Sequence, residues 1–476
     1  MAAEWGKISS EEIATAVRGR VLCGDPQTRF SGFNSDSRTV RRGQVFWAIK
    51  GDRFDGHDFV SRAAMQGASG VVVQKEFQAS LDELPNTVVI TVADTLKALG
   101  DLAAWWRRQH KAKVAAITGS SGKTTAKEMT AAIFQMGNKT LKNPGNHNNL
   151  IGLPVTLLKL EKMPRRAVLE MGMNHKGEIA RLTEIADPDT AAILNIGMAH
   201  LEGLGDMDGV AEAKTEMIGN SSPEAKIILN GDDEVLMKHA ARFGRSFTRF
   251  GLEDGNDVQA IHLRQNGSEG IGFDLVFEGN AWPVHLRVSG LHNIKNALAA
   301  AAIGFCLEEP VNHIIEGLGS FEGVKGRFQR IPLKQEILLI DDTYNANPSA
   351  LRAALHSAAP LVRKEGQLLV GLGDMLELGK AAVSAHREAG GRVAGSGVSW
   401  FFIMGSHAEV MREGAIAAGM PSDRIIIART HDELTAAIIQ ELKPKDMVFL
   451  KGSRKMQFEK VSENLQRHFG LRIADF

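Results

Sequence analysis

Ile117-Thr118-Gly119-Ser120-Ser121-Gly122-Lys123-Thr124-Thr125 is the stretch that decides how this chain folds. An apolar run, Val114-Ala115-Ala116-Ile117-Thr118, leads into it as a strand. After it, Ala126, Met129, Ile133 and Met136 fall on one face of a helix that Gly137 can end. Strand, glycine-rich loop and helix in that order form the setting of a phosphate-binding loop. Small residues let backbone N–H groups close around phosphate oxygens, and the helix N-terminus adds positive potential. Thr118 to Thr125 would hold a nucleotide, with Lys123 neutralising the β- and γ-phosphates and the Thr124 hydroxyl reaching Mg²⁺. One position departs from the general pattern: Ile117 stands where a first glycine is usual, and Gly119 supplies the turn instead.

Downstream, Ala167-Val168-Leu169 and Ala191-Ala192-Ile193-Leu194 read as buried strands, with a helix around Glu178 to Ile185 between them. This alternation predicts a mostly parallel sheet with helices on both faces. In such a sheet, ligands bind beyond the carboxyl ends of the strands. Glu170 closes the first of these strands and His200 follows the second, so both are candidates to face the phosphate loop and hold Mg²⁺. A carboxylate suits that hard cation; an imidazole is a less usual ligand. Lys214 lies on a predicted helix, Val210 to Met217, and taken bare it reads as a solvated lysine. Asn146-His147-Asn148-Asn149 is a polar loop, and Leu291-His292-Asn293-Ile294-Lys295-Asn296 opens an alanine-rich helix that Asn293 could cap.

Upstream, short strands at Val45–Ile49, Ser69–Val73 and Thr87–Ile90 surround a turn-rich loop, Lys50 to His57, and precede a helix from Thr95 to Gln109. Beyond Phe328, runs at Ile337–Ile340, Gln367–Val370, Trp400–Met404, Arg424–Ala428 and Met447–Leu450 predict a second nucleotide-binding-type α/β unit. Two polar clusters follow strands there. One is Asp341-Asp342-Thr343-Tyr344-Asn345-Ala346-Asn347-Pro348, with the only tyrosine of the chain; the other is Lys451-Gly452-Ser453-Arg454. The expected fold class is α/β in three domains: a small N-terminal α/β domain over 1–110, a central parallel-sheet phosphate-loop domain over 111–327 and a Rossmann-like domain over 328–476.

Composition narrows the function classes. A chain of 476 residues suits about three domains at roughly 150 residues each. Lys+Arg and Asp+Glu are both 56, which removes the electrostatic argument for a nucleic-acid partner. Two distant cysteines, Cys23 and Cys306, exclude a disulfide framework or a cysteine-rich zinc site and fit a reducing cytosol. No apolar run approaches the ~18 residues of a membrane span, and the polar stretch Met1 to Glu12 does not read as a signal peptide. The expectation is a cytoplasmic monomer without a membrane span.

Taken together, several motifs resemble the ATP-dependent Mur ligases of peptidoglycan synthesis. They are the phosphate loop, the settings of Glu170 and His200, His292-Asn293 with Asn296, and Lys325-Gly326-Arg327. The match runs in order through nearly the whole chain. Asp36-Ser37-Arg38, Gly43 and Phe54-Asp55-Gly56-His57 look like the uridine-nucleotide domain of the later ligases of that family. Asp342 to Pro348, with Gly373-Asp374-Met375-Leu376-Glu377-Leu378-Gly379, resembles the member that adds D-alanyl-D-alanine to UDP-N-acetylmuramoyl-tripeptide. The Asp-Asn-Pro-Arg tetrapeptide of the member that adds a diamino acid is absent.

The resemblance implies a substrate carboxylate that attacks the γ-phosphate of ATP, an acyl phosphate, and then attack by an amine. It implies that Lys123 stabilises the transferring phosphoryl group, that Thr124 and Glu170 hold Mg²⁺, that His200 ligates a second Mg²⁺, and that Lys214 is carbamylated. It assigns His292, Asn293, Asn296, Arg327 and Asp342 to the nucleotide. Ser35, Ser37, Arg38 and His57 go to the uridine diphosphate, and Asn146, Asn148 and Asn149 to the sugar-peptide path. Tyr344, Asn345, Asn347 and Ser453 go to the dipeptide end. Substrates split across three domains imply closure on binding. Two other readings fit the same residues: a sister ligase that adds a single amino acid, and a phosphate-loop ATPase or kinase whose outer domains bind a partner.

Overall fold

The computed structural model describes residues 1–51, 54–77, 84, 86–162, 164–265 and 270–471; Asp52 and Arg53 of the turn-rich loop lie outside the described residues. Three sheets follow one another along the chain. The first has six strands, in the spatial order Ala2–Ser9, Arg29–Asn34, Gln44–Trp47, Gly70–Gln74, Val88–Val92, Arg20–Cys23. Its inner four are parallel to one another, and the two outer strands pair antiparallel. The polar-looking N-terminus is therefore an edge strand. Ala3, Trp5 and Ile8 are buried while Ala2, Glu4 and Lys7 face out, a half-buried alternation that composition alone hides.

The central sheet has nine strands. Lys113–Thr118 lies between Arg166–Glu170 and Thr190–Ile193, all parallel, so the phosphate loop leaves an inner strand, third from one edge of the sheet. Helix Lys123–Gln135 buries Ala126, Met129 and Ile133 completely, but Met136 caps the helix and is 38% exposed, so the apolar face is one turn shorter than its spacing suggests. The alanine-rich helix Leu291–Cys306 packs along it, with Ala297 to Ala302 wholly buried; small side chains let the two helices approach closely. Its N-cap is Gly290, not Asn293, which lies inside the first turn and donates from Nδ2 to Ser289 O at 2.8 Å. Strands Val258–Gln265, Ile271–Phe277 and Asn280–Leu286 extend the sheet as an antiparallel meander.

The C-terminal sheet has six strands: Gln329–Pro332 pairs antiparallel with Leu338–Asp342, and Met447–Lys451, Leu368–Gly373, Trp400–Met404 and Ile425–Ile427 follow in parallel. Leu338–Asp342 and Met447–Lys451 are neighbours in space though more than a hundred residues apart in sequence. Their carboxyl ends therefore bring Asp342 and Lys451 together at the ligand-binding edge of the sheet.

Candidate active site

A cavity of about 980 Å³ lies between the central and C-terminal sheets. The phosphate loop from Ser120 to Thr125, Asn148, Glu170 and His200 form one wall; Asp342, Tyr344, Asn345, Asn347, Lys451 and Arg454 form the other. His292, Asn293, Asn296 and Arg327 line it between the two, and Asn146 and Asn149 lie at its edge with Asn148.

The loop is preformed by bonds within the central domain. Asn195, just past the end of strand Thr190–Ile193, accepts from Ser120 N through its carbonyl at 3.1 Å and from Ser121 N through Oδ1 at 2.9 Å. Ser120 Oγ donates to Gly197 O at 3.0 Å and accepts from Gly197 N at 2.8 Å. Gly122 has φ +79° and precedes helix Lys123–Gln135; a Cβ there would stand 2.2 Å from Asn296 Oδ1, so both conformation and space require glycine. Lys123 Nζ donates to Gly119 O at 2.7 Å. Burial pushes its pKa below the usual lysine value, against the pull of the Glu170 carboxylate.

Glu170 is 2% exposed and fully engaged. Its Oε2 accepts from Thr124 Oγ1 and its Oε1 from Asn148 Nδ2, each at 2.8 Å. Asn143 clamps its backbone in both directions, and the buried Lys127 donates to Asn143 O at 2.9 Å and lies 4.0 Å from Oε2. Two oxygen donors, Thr124 and Glu170, thus converge behind the loop, a donor set that fits Mg²⁺. Lys214 corrects the bare reading of a solvated helix residue: it is 1% exposed, and among the described residues no hydrogen bond or ion pair meets its amine. Burial, with the charge of Lys123 adding, drives its pKa well below the ordinary lysine value. An amine so placed favours the neutral form.

On the opposite wall the charges are paired. Lys451 forms a buried ion pair with Asp342, whose carboxyl is pushed up by burial and pulled back by that lysine. Arg327 lies 4.2 Å and Arg454 5.5 Å from the centre of the Tyr344 ring. Arg327 Nε has no hydrogen-bond partner among the described residues. Asn347 caps helix Pro348–Ala358 by accepting from Ala350 N at 2.8 Å, and Asn345 Oδ1 accepts from Arg454 N at 3.4 Å. His292 keeps a face toward the cavity but packs edge-on against Phe328 and beside Ser357 Oγ at 3.1 Å. Burial pushes its pKa down to about 4, with Lys451 adding.

Comparison with known proteins then decides the family. Residues 29–107 match the Mur ligase family catalytic domain, 117–304 the Mur ligase middle domain, and 326–454 the Mur ligase glutamate ligase domain. The chain is 36% identical over 438 residues to UDP-N-acetylmuramoyl-tripeptide–D-alanyl-D-alanine ligase of Escherichia coli K12, covering 91% of this chain and 93% of that protein. The enzyme of the same name from Bacillus subtilis is 33% identical over 461 residues, 96% of this chain and 98% of that one. This chain is a Mur ligase. A crystal structure of MurF from Acinetobacter baumannii superposes with a TM-score of 0.87 at 33% identity, over 98% of this chain and 100% of that one. A crystal structure of MurF from Thermotoga maritima in complex with ADP gives 0.81 at 30% identity, over 92% and 97%.

The predicted site residues of this Mur ligase do not all share the cavity, and Lys214, buried on its helix, is among those off the lining. Thr118 and Gly119 lie behind the lining, where Thr118 Oγ1 donates to Met171 O at 2.9 Å. Ser453, expected at the dipeptide end, is 3% exposed and off the lining; its Oγ accepts from Leu376 N at 2.8 Å and donates to Ala346 O at 3.4 Å. Ser35, Ser37, Arg38 and His57 are also off that lining, and sit beyond the carboxyl ends of the parallel strands of the N-terminal sheet. Ser35 Oγ accepts from the Met1 amine at 3.0 Å, and Arg38 pairs with Asp36 at 2.8 Å. His57 uses both ring nitrogens inside the domain, Nδ1 against Asp55 Oδ1 at 2.6 Å and Nε2 accepting from Gln74 N at 3.0 Å. It shapes the loop and offers no free nitrogen.

Sequence reasoning missed the residues that hold the others in place. Asn195 shapes the phosphate loop, Asn143 and Lys127 fix Glu170, and Lys451 neutralises Asp342. Lys127 carried a local signal one helical turn beyond Lys123, and Lys451 stood in the polar cluster after its strand, but neither pattern named its partner.

Proposed function

We propose that this Mur ligase joins D-alanyl-D-alanine to UDP-N-acetylmuramoyl-tripeptide at the expense of ATP, in the cytoplasmic stage of peptidoglycan precursor synthesis. The observation that carries the reading is one cavity with a phosphate loop on one wall and the Tyr344-Asn345-Ala346-Asn347-Pro348 loop on the other, in a chain whose near-full-length relatives bear that enzyme's name. Among the described residues no helix is long and apolar enough to cross a membrane.

A carboxylate does not react with an amine at neutral pH, so its oxygen must first be made a leaving group. The terminal carboxylate of the UDP-linked peptide attacks the γ-phosphorus of ATP, the bond to ADP breaks, and an acyl phosphate forms. The free amine of the dipeptide then attacks the carbonyl carbon, and the tetrahedral intermediate expels inorganic phosphate. The protein contributes mainly position and charge. Lys123, whose amine lies on Gly119 O, is placed to exchange that carbonyl for the transferring phosphoryl oxygens. Thr124 and Glu170 would hold Mg²⁺, which neutralises phosphate charge, and His200 would serve a second ion. Arg327 offers its unpartnered Nε to the nucleotide, with Asn293, Asn296, His292 and Asp342 beside it. Asn146, Asn148 and Asn149 line the path of the sugar-peptide; Ser35, Ser37 and Arg38 face the uridine diphosphate.

Lys214 belongs to the same proposal as a carbamylated residue. Its neutral amine attacks carbon dioxide, a C–N bond forms and one proton leaves, so the side chain gains a carboxylate. Its burial and the absence of a competing partner support this. The deciding experiment is ATP-dependent phosphate release with UDP-linked tripeptide, with and without D-alanyl-D-alanine. Release that needs the dipeptide is expected; a single amino acid acting as the better acceptor, with a shorter UDP-linked peptide, would overturn the assignment.

A further inference from the structure

We propose that Glu377 is a positioning residue for the metal site: carried by the C-terminal domain, its carboxylate holds the His200 imidazole of the central domain. The metal site would then be complete only while the two domains are docked. The inference rests on the reading of His200 as a metal ligand.

Glu377 Oε2 lies 2.8 Å from His200 Nδ1. The contact is close but off the line a hydrogen bond requires, so Nδ1 is left without an aligned partner. Both residues hold left-handed backbone, His200 at φ +57° and Glu377 at φ +64°, a conformation that side chains other than glycine rarely adopt. Strain of this kind persists where the surrounding structure imposes it. The two backbones are also docked: Glu202 N donates to Glu377 O at 3.2 Å, and a Cβ on Gly379 would stand 3.2 Å from Glu202 Cα.

The loop that presents Glu377 is braced from behind. Asp374 accepts from Ser406 N at 2.8 Å, Ser406 Oγ at 2.7 Å and His407 N at 3.1 Å. His386 Nε2 accepts from Met375 N at 2.9 Å while its Nδ1 faces Ala382 O at 2.6 Å. Ser453 ties Leu376 N, and its own N donates to Asp374 O. Asp374, His386 and His407 have the composition of a metal cluster. The Asp374 carboxylate and the His386 ring are committed to these bonds, and the His407 ring stacks on His386 with centroids 4.2 Å apart, so the cluster acts as a strut for the Glu377 loop. A metal-bound histidine commonly gives its other ring N–H to a carboxylate, which fixes tautomer and ring orientation. With Nδ1 beside the Glu377 carboxylate, where a small turn of either side chain would align the bond, Nε2 is the nitrogen left for a metal.

The test is Mn²⁺ affinity of the full-length protein with a non-hydrolysable ATP analogue bound, read by electron paramagnetic resonance. Variants are Glu377→Ala, Glu377→Gln, His200→Ala and the Ala double variant. The Glu377 side chain is 53% exposed, so the fold should survive, and unchanged melting checks it. Glu377→Ala should weaken Mn²⁺ binding about 10- to 100-fold. Glu377→Gln should weaken it less, and Glu377→Ala should cost nothing further on top of His200→Ala. X-ray scattering should show less contraction with the analogue and Mn²⁺ in Glu377→Ala than in the native protein. Unchanged Mn²⁺ affinity in Glu377→Ala, or an equal further loss in the His200→Ala background, would overturn the proposal. The titration contains neither UDP-linked peptide nor dipeptide, so a wrong acceptor assignment would leave its outcome intact.

Discussion

The two walls of the cavity are built on different principles. The phosphate-loop wall is bound together within one domain: Asn195 holds the loop, Asn148 and Thr124 hold Glu170, and Lys123 waits on Gly119 O. On the C-terminal wall, charged groups are matched in pairs, Lys451 with Asp342 and Arg454 with Glu459, while Glu377 reaches across to His200. A wall organised before substrate arrives costs no reorganisation when charge develops, which is what a phosphoryl transfer needs. A wall of matched charges, facing the first across a cavity, suits recognition and closure. Substitutions on the first wall should therefore lower kcat, and those on the second should fall mostly on KM.

Lys123→Ala gives that division its hardest test. The missing charge acts on the transition state, where such a contact commonly contributes about 3–4 kcal/mol, or roughly 10²- to 10³-fold in kcat. Phosphate-release assays on the folded variant should show that loss with little change in dipeptide KM. Turnover near the native rate would end the assignment of the loop. Lys214→Ala ranks next. A carbamate role predicts a large fall in kcat, partly restored by acetate or formate occupying the vacated space. Full activity without the added acid, or clear density for an unmodified amine in an active ternary complex, would remove Lys214 from the mechanism.

The same contrast explains what the sequence made legible. The phosphate loop is one contiguous segment whose residue types are fixed by backbone geometry, so it could be read directly, down to Gly122. Glu170 and His200 were readable because strand ends are where an open parallel sheet places ligands. Lys214 was misjudged when read bare, because spacing on a helix does not say which face is buried; its burial comes from tertiary packing. The C-terminal wall joins strand ends more than a hundred residues apart, and no local pattern marks Lys451 as the partner of Asp342. The antiparallel meander escaped for a different reason. Its second turn, Glu278-Gly279, has both residues at positive φ between the paired Phe277 and Asn280 and lacks the Asn-Gly or Asp-Gly signal of such a turn, while Asn266-Gly267 in the connection before it was a hairpin signal left unread.

Tyr344 sharpens the comparison from the second wall. Its ring has the guanidinium groups of both Arg327 and Arg454 over it, 4.2 and 5.5 Å from its centre. Cation–π contacts of this kind contribute about 0.5–2 kcal/mol each. Tyr344→Ala should raise the KM for D-alanyl-D-alanine about tenfold while kcat falls less, and Tyr344→Phe, which keeps the ring, should stay close to native. A loss confined to kcat in Tyr344→Ala would show that the two walls do not divide the work as proposed.

His292, between the walls, offers the smallest effect and one visible only in acid. Its pKa in the folded protein is about 4, against an ordinary value of 6.5, chiefly because burial disfavours the charged ring. As pH falls through 6.5 the unfolded chain takes up a proton that the folded chain refuses until near 4. Unfolding therefore gains protons across that window. The stability contributed by the neutral ring is complete above about 6.5 and is lost progressively toward 4, at up to about 1.4 kcal/mol per pH unit. His292→Gln removes the titration and retains a polar group toward Ser357. Thermal melting at pH 7.5 should change little in this variant, and the drop in Tm between pH 7.5 and pH 5 should be smaller than in the native protein by about 2 °C. An equal drop in both proteins would mean that the His292 ring is open enough to water to titrate normally. The centre of the cavity would then be wetter than its paired charges and preformed loop imply.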